Sequence, residues 1–219
     1  QRYFDPGAPA QALFEIGGAV VAVSVCEDVW VPAGPAEQAA RHGARIVLNI
    51  NASPFRASKQ VVREQTLADR VEATGGPIAY VNQVGGQDEL VFDGESLVVD
   101  SMGGVVSRAA AFEPAIEYID FSERGPVALT AGSTVALQQD EAIYRALVLG
   151  VRDFVIKNGF SGVIVGLSGG VDSALTLAIA VDALGAEING LVRRDGTGRD
   201  LGYPGGRRRP ARFDRAAAG

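Results

Sequence analysis

The stretch that most constrains the fold is "GVIVGLSGGVDSALTLAIAV", residues 162–181. An apolar, β-branched run leads into a loop of small residues, and an Ala/Leu-rich run comes next. In α/β domains, strand, glycine loop and helix in that order place an anion at a helix N-terminus, beyond the carboxyl end of a parallel strand. "INGLV" (188–192) supplies a next parallel strand, so the spacing predicts a βαβ unit. Yet the loop ends at Ser173 of a 219-residue chain. The remaining segment is short for a nucleotide-binding domain, and most of the sequence lies in front of the loop.

That length suits one large domain, or about one and a half small ones at roughly 100–200 residues each. Hydrophobic residues make up 47% and charged residues 21%, enough apolar surface for a core. A net charge of −6 excludes a general nucleic-acid binder, though not a local basic pocket for a phosphate. Cys26 is the single cysteine, so no internal disulfide forms. No secretory signal is visible, and no apolar run reaches the ~18 residues of a membrane span. A reducing cytoplasm is the expected compartment. The chain opens on Gln1 rather than Met, which suggests that the true N-terminus lies upstream.

From Leu13 to about Phe121, short β-rich runs alternate with helical ones, the pattern of a layered α/β fold. "LFEIGG" (13–18) and "AVVAVSVCE" (19–27) predict a strand pair ending at the cysteine. "PAEQAARHGA" (35–44) reads as a helix, and "RIVLNI" (45–50) as a strand buried on both faces. "SKQVVREQTLADRVEATGG" (58–76) predicts a helix with Ser58 as N-cap and Leu67, Ala68 and Val71 on one face. "PIAYVNQVG" (77–85), "GESLVVDSMGG" (94–104) and "AIEYID" (115–120) add strands. Residues 122–137 show turn residues and no clear period, and read as a linker. Residues 138–159 form a helix with Ile143, Leu147, Val151, Phe154 and Val155 on one stripe. His42, a lone histidine after a helical run with no metal-ligand cluster around it, reads as surface or packing.

From Arg193 the character changes. The last 27 residues hold eight Arg and six Gly with no apolar periodicity. They read either as a disordered basic tail or as an out-of-frame translation of a GC-rich coding sequence. The abrupt switch after a well-formed βαβ pattern favours the second.

The loop itself, Gly166-Leu167-Ser168-Gly169-Gly170-Val171-Asp172-Ser173, fails two phosphate-binding signatures. It lacks the lysine of G-x-x-x-x-G-K-[ST], and it is not G-x-G-x-x-G. Gly169 and Gly170 let the backbone turn tightly and approach an anion. Their N–H groups, with those opening the next helix, form an anion nest, and Ser168 and Ser173 add hydroxyls. Asp172 would repel a phosphate unless a cation lay between them, so it reads as a Mg²⁺ ligand. A bare glycine turn with Asp and Ser capping the helix is the plainer alternative. The full pattern, S-G-G-x-D-S, resembles the PP-loop ATP pyrophosphatases. That resemblance implies ATP as substrate, cleaved between its α- and β-phosphates, with adenylation of a carboxyl or carbonyl oxygen that a nucleophile such as ammonia then attacks.

"VAVSVCEDVW" (21–30) places Cys26 just past a buried strand. Free cysteine is usually a structural core residue. The run strand–Cys-Glu-Asp-x-Trp, however, resembles the nucleophile segment of the nitrilase superfamily. It is most similar to the glutaminase domain of glutamine-dependent NAD⁺ synthetases. "RYFDPG" (2–7), "NASPFRASK" (51–59) and "YVNQVGGQDELVFDGES" (80–96) resemble the same domain in the same order.

The resemblance runs from residue 2 to about 192. It implies a partial nitrilase-type αββα sandwich over residues 1–121 and the start of a PP-loop, Rossmann-like parallel α/β domain over 138–192. By position it makes Cys26 the glutaminase nucleophile, Ser53 and Lys59 glutamine-binding residues, Gly166–Ser173 the ATP loop and Asp172 the Mg²⁺ position. The implied small molecules are glutamine, ATP and deamido-NAD; a homo-oligomer is expected, and neither nucleic acid nor a membrane is an expected partner. A thiol with pKa near about 8.5 needs a base and a cationic neighbour. The family's glutamate and lysine for that task fall upstream of "RYFDPG", and nothing after Arg193 resembles its distal synthetase residues. The 219 residues alone are therefore expected to turn over negligibly. Two rivals remain: a free-standing nitrilase-type carbon–nitrogen hydrolase with an incidental extension, and an inactive remnant of the synthetase.

Overall fold

The computed structural model describes residues 13–122, 125–130, 135–185 and 191–193. "RYFDPG" and the run from residue 194 onward lie outside them. Contacts divide the chain into two units, Gln1–Gly85 with Phe92–Ala142, and Gly86–Val91 with Ile143–Gly219.

In the first unit, β1 (Leu13–Ile16) and β2 (Ala19–Val25) form the expected antiparallel pair. Gly17 and Gly18 join them at φ 57° and 79°, a tight hairpin turn that needs positive φ at both positions. A 3₁₀ turn at Cys26–Val29 and helix α1 (Pro35–Arg41) come next, with Pro35 at the first helical position, where its missing N–H costs nothing. Then come β3 (Ile46–Asn51), α2 (Lys59–Thr74) and β4 (Ile78–Asn82). β5 (Val84–Gln87) pairs with β6 (Leu90–Asp93), while β7 (Leu97–Val99) and β8 (Val105–Arg108) complete a six-stranded sheet in the order β1-β2-β3-β4-β7-β8. Its central strands β2, β3 and β4 are parallel.

Register explains which side is core. Ala22, Val47 and Ile78 are aligned neighbours across β2, β3 and β4. They share one buried cluster with Ala36 and Ala39 of α1, Leu67 and Val71 of α2, and Leu97 and Val99 of β7. On the opposite face the aligned row Val25–Ile50–Val81 is 61%, 54% and 50% exposed.

Several local expectations changed. Ser58 does occupy the residue before α2, but at φ 65° its hydroxyl does not cap the helix; it donates to Gln139 Oε1 at 3.0 Å. The strand expected at 115–120 is β9 (Ile119–Ser122), and it pairs with β10 (Gly125–Ala128) inside the stretch that shows no period. A two-stranded ribbon with little burial leaves little hydrophobic alternation to read.

In the second unit, α3 (Gln139–Lys157) buries Ala146, Leu149 and Val155, while Ile143, Leu147 and Phe154 of the anticipated stripe stay exposed. Small residues contribute to the packed face beside Leu149 and Val155: Gly150 lies against Val91, and a Cβ there would sit 3.1 Å from Val91 Cγ2. β11 (Val165–Leu167) leads into α4 (Val171–Leu184), and β12 (Leu191–Arg193) pairs parallel to β11. Gly185 ends α4 as expected. Among the described residues, no helix is long and apolar enough to cross a membrane.

Candidate functional site

On the helix-covered face of the first sheet, the aligned rows change character toward the carboxyl ends of the parallel strands. The apolar row Ala22–Val47–Ile78 gives way to Ser24–Asn49–Tyr80, and then to Asn51–Asn82 beside Cys26. Carboxyl ends of parallel strands are where α/β sheets hold ligands. Asn49, fully buried, donates from Nδ2 to Ser24 Oγ at 2.9 Å and to the Cys26 carbonyl at 3.4 Å. The backbone turns sharply at Cys26, whose φ of 50° lies in the left-handed region. The Val25 N–H donates to Asp28 Oδ2 at 2.8 Å and closes the turn, and the half-buried thiol sits at the end of its strand.

Ser53 is buried, and both its backbone groups are held. Its N–H donates to Asn82 Oδ1 at 2.9 Å, and its carbonyl accepts from Arg63 Nη2 at 3.1 Å. Arg63 lies wholly inside the protein and forms a two-point pair with Asp93, at 2.7 and 2.8 Å. Asn82 Nδ2 adds a bond to Asp93 Oδ1 at 3.0 Å. Asn49, Asn51, Arg63, Asn82 and Asp93 were not singled out by sequence reasoning. For the three asparagines a signal was present, since they interrupt the otherwise apolar runs "RIVLNIN" and "AYVN" toward the strand ends; Arg63 and Asp93 carried none.

Lys59, the first residue of α2, donates from Nζ to the Pro54 carbonyl at 3.2 Å and lies 5.9 Å from the Trp30 ring centroid. Burial lowers its pKa, and Arg63 and Arg56 push the same way, against Asp93 and Cys26. Burial pushes the Tyr80 phenol up, so it stays protonated. Burial likewise pushes the Glu95 carboxyl up to about 6, against the pull of Arg108. His42 closes α1 with its Nδ1 2.7 Å from the Gln38 carbonyl.

The second cluster is the loop between β11 and α4. Gly169 has φ 86°, which favours glycine; Gly170 is extended and does not need it. Ser173 Oγ donates to the Gly170 carbonyl at 2.9 Å and lies 3.2 Å from Ser168 Oγ. Gly166, Val171 and Asp172 are exposed, Leu167 is half-buried, and Asp172 stands in the first turn of α4. Beside the loop lies a cavity of about 760 Å³ lined by Gly169, Gly170, Ser173, Leu177 and Val181. Among the described residues no cluster of three or more His, Cys, Asp or Glu could hold a metal alone. A single exposed carboxylate at a helix N-terminus still suits Mg²⁺, which commonly takes one or two carboxylates and completes its shell with water and phosphate oxygens.

A thiol at the end of a parallel strand, above a buried polar row, defines an α/β protein of the nitrilase fold class, here joined to the start of a second α/β domain with a glycine loop. The family model described as Carbon-nitrogen hydrolase matches residues 1–128, and the chain belongs to that family. The model described as NAD synthase matches residues 143–193. The chain is 48% identical over 199 residues to a glutamine-dependent NAD(+) synthetase of Xylella fastidiosa (strain 9a5c), covering 88% of this chain and 36% of the relative. It is 40% identical over 217 residues to one of Aquifex aeolicus, covering 85% and 38%. The structure of a glutamine-dependent NAD⁺ synthetase of Acinetobacter baumannii in complex with ADP superposes with TM-score 0.79 at 40% identity, covering 88% and 36%. The chain thus spans little more than a third of the length of these relatives.

Proposed function

We propose that this chain carries parts of both halves of a glutamine-dependent NAD⁺ synthetase, a cytoplasmic, homo-oligomeric enzyme. In this reading residues 1–121 belong to the glutaminase domain, 122–137 connect, and 138–192 begin the synthetase domain. The Cys26 thiolate attacks the side-chain amide of glutamine; the C–N bond breaks, ammonia leaves, and water hydrolyses the γ-glutamyl thioester to glutamate. Ser53 and Lys59 hold the glutamine. At Gly166–Ser173, loop N–H groups and the α4 dipole bind the phosphates of ATP. Asp172 would hold Mg²⁺, which offsets the phosphate charge. ATP adenylates the carboxylate of deamido-NAD with loss of pyrophosphate. Ammonia then displaces AMP and gives NAD⁺.

The observation that supports this best is the pairing of two chemistries in one chain: a thiol seated at a strand end over a buried polar row, and an S-G-G-V-D-S loop opening a helix from a parallel strand. In the natural full-length protein, Cys26→Ala is expected to abolish glutamine-driven NAD⁺ formation and to leave ammonia-driven formation intact. Asp172→Ala should depress both. A Cys26→Ala protein that still uses glutamine, or amide formation without ATP, would refute the reading.

A further inference from the structure

The hairpin tip Gly86–Val91 and helix α3 belong to one packing unit, although they fall in segments matched by two different families. Both backbone groups of Gly86 are taken by α3. Its N–H donates to Asp153 Oδ2 at 2.8 Å, and its carbonyl accepts from Lys157 Nζ at 2.6 Å. Asp153 and Lys157, one helical turn apart, also pair at 3.2 Å. The approach is close on each side. A Cβ on Gly86 would lie 3.1 Å from Asp153 Cβ and 3.4 Å from Gly150 Cα, and one on Gly150 would lie 3.1 Å from Val91 Cγ2. Burial alone would raise the Asp153 carboxyl, but the Gly86 N–H and Lys157 hold it below its ordinary value.

β6 is therefore fixed at two points. Val91 rests on Gly150, and two residues further along the strand Asp93 is locked to Arg63. Residues two apart on a strand point to the same side, about 6.6 Å from each other. Arg63 and Asn82, both bonded to Asp93, are the groups that hold the backbone of Ser53.

We infer that Asp153 and Lys157 are positioning residues for glutamine hydrolysis: by clamping Gly86 they set the strand that carries Asp93, and through Asp93 the glutamine-binding segment at Ser53. This rests on the glutamine-dependent function proposed for the chain. It assigns residues of the first synthetase helix to the chemistry of the other half.

The test is made on the natural full-length protein, with glutamine or ammonium as nitrogen source. Asp153→Ala should lower glutamine-driven NAD⁺ formation by about tenfold, mainly through KM for glutamine, because small displacements of a binding group cost rate steeply. Ammonia-driven formation should stay within about twofold. Asp153→Asn, which keeps an acceptor for the Gly86 N–H, should recover most of the loss. Equal loss with both nitrogen sources, or no loss with either, overturns the inference. If Asp153→Ala does not fold, Gly150→Ala delivers the same perturbation through Val91 and is judged by the same two outcomes. An unsubstituted protein that makes no NAD⁺ from ammonia sinks the proposed function instead. In that case hydrogen exchange at the Gly86 amide judges the clamp: protection lost in Asp153→Ala and kept in Asp153→Asn supports it, and protection unchanged in both overturns it.

Discussion

Replacing Arg63 with Met should destabilise the protein by about 3–5 kcal/mol, the cost of leaving a buried charge without its partner. The Arg63 side chain is wholly inaccessible and that of Asp93 nearly so, and the two meet through a pair of short bonds. Met fills much of the volume but returns nothing to the Asp93 carboxylate. The Ser53 carbonyl loses a donor as well. Urea titration of the two proteins reads the difference directly, and a loss under about 1 kcal/mol would contradict the account. Removing Asp93 together with Arg63 should recover much of the stability, since an apolar pair of similar volume avoids the desolvation that ions pay.

Glu95 works in the opposite direction. Its carboxyl is buried, and burial raises its pKa from 4.5 to about 6. The folded state therefore holds this proton more tightly than the unfolded chain does. The associated stability is fully present below about pH 4.5 and is lost as pH rises through about 6, roughly 2 kcal/mol in all. Glu95→Gln should accordingly be more stable than the parent by up to about 2 kcal/mol at pH 7.5 and indistinguishable from it near pH 4. Arg108 keeps its 2.7 Å bond to Glu64 in the variant. Because other carboxylates titrate in the same range, the readout is the difference between variant and parent at each pH. A difference that does not change with pH would refute the assignment of the raised pKa to Glu95.

Much of the architecture was legible because its signals are local. The Gly17-Gly18 turn, the apolar parallel strands, the helix stop at Gly75 and the strand–loop–helix at 165–184 all depend on neighbours in sequence. Cys26, Ser53, Lys59 and the 166–173 loop were reached through motifs; the structure seats Cys26 just past β2 and Lys59 at the start of α2, and bonds both backbone groups of Ser53. The features that escaped depend on pairs distant in sequence. Nothing in the local pattern joins Arg63 to Asp93, or Gly86 to Asp153. The α3 stripe misled because periodicity reports apolar side chains, whereas Ala146 and Gly150 pack through what they lack. Ser58 misled because an N-cap needs extended backbone as well as a hydroxyl, and its φ is 65°.

The turn at Cys26 has a consequence for how the protein responds to engineering. At φ 50° a side chain of any kind costs roughly 1 kcal/mol relative to glycine. The thiol therefore occupies the seat where the fold would accept glycine most readily. Screening variants for heat resistance alone would reward its loss, and the most durable proteins recovered would include ones without the thiol that the proposed glutamine hydrolysis needs. Durability and the proposed chemistry compete at this one residue, so any search for a hardier form that keeps that chemistry has to hold position 26 fixed.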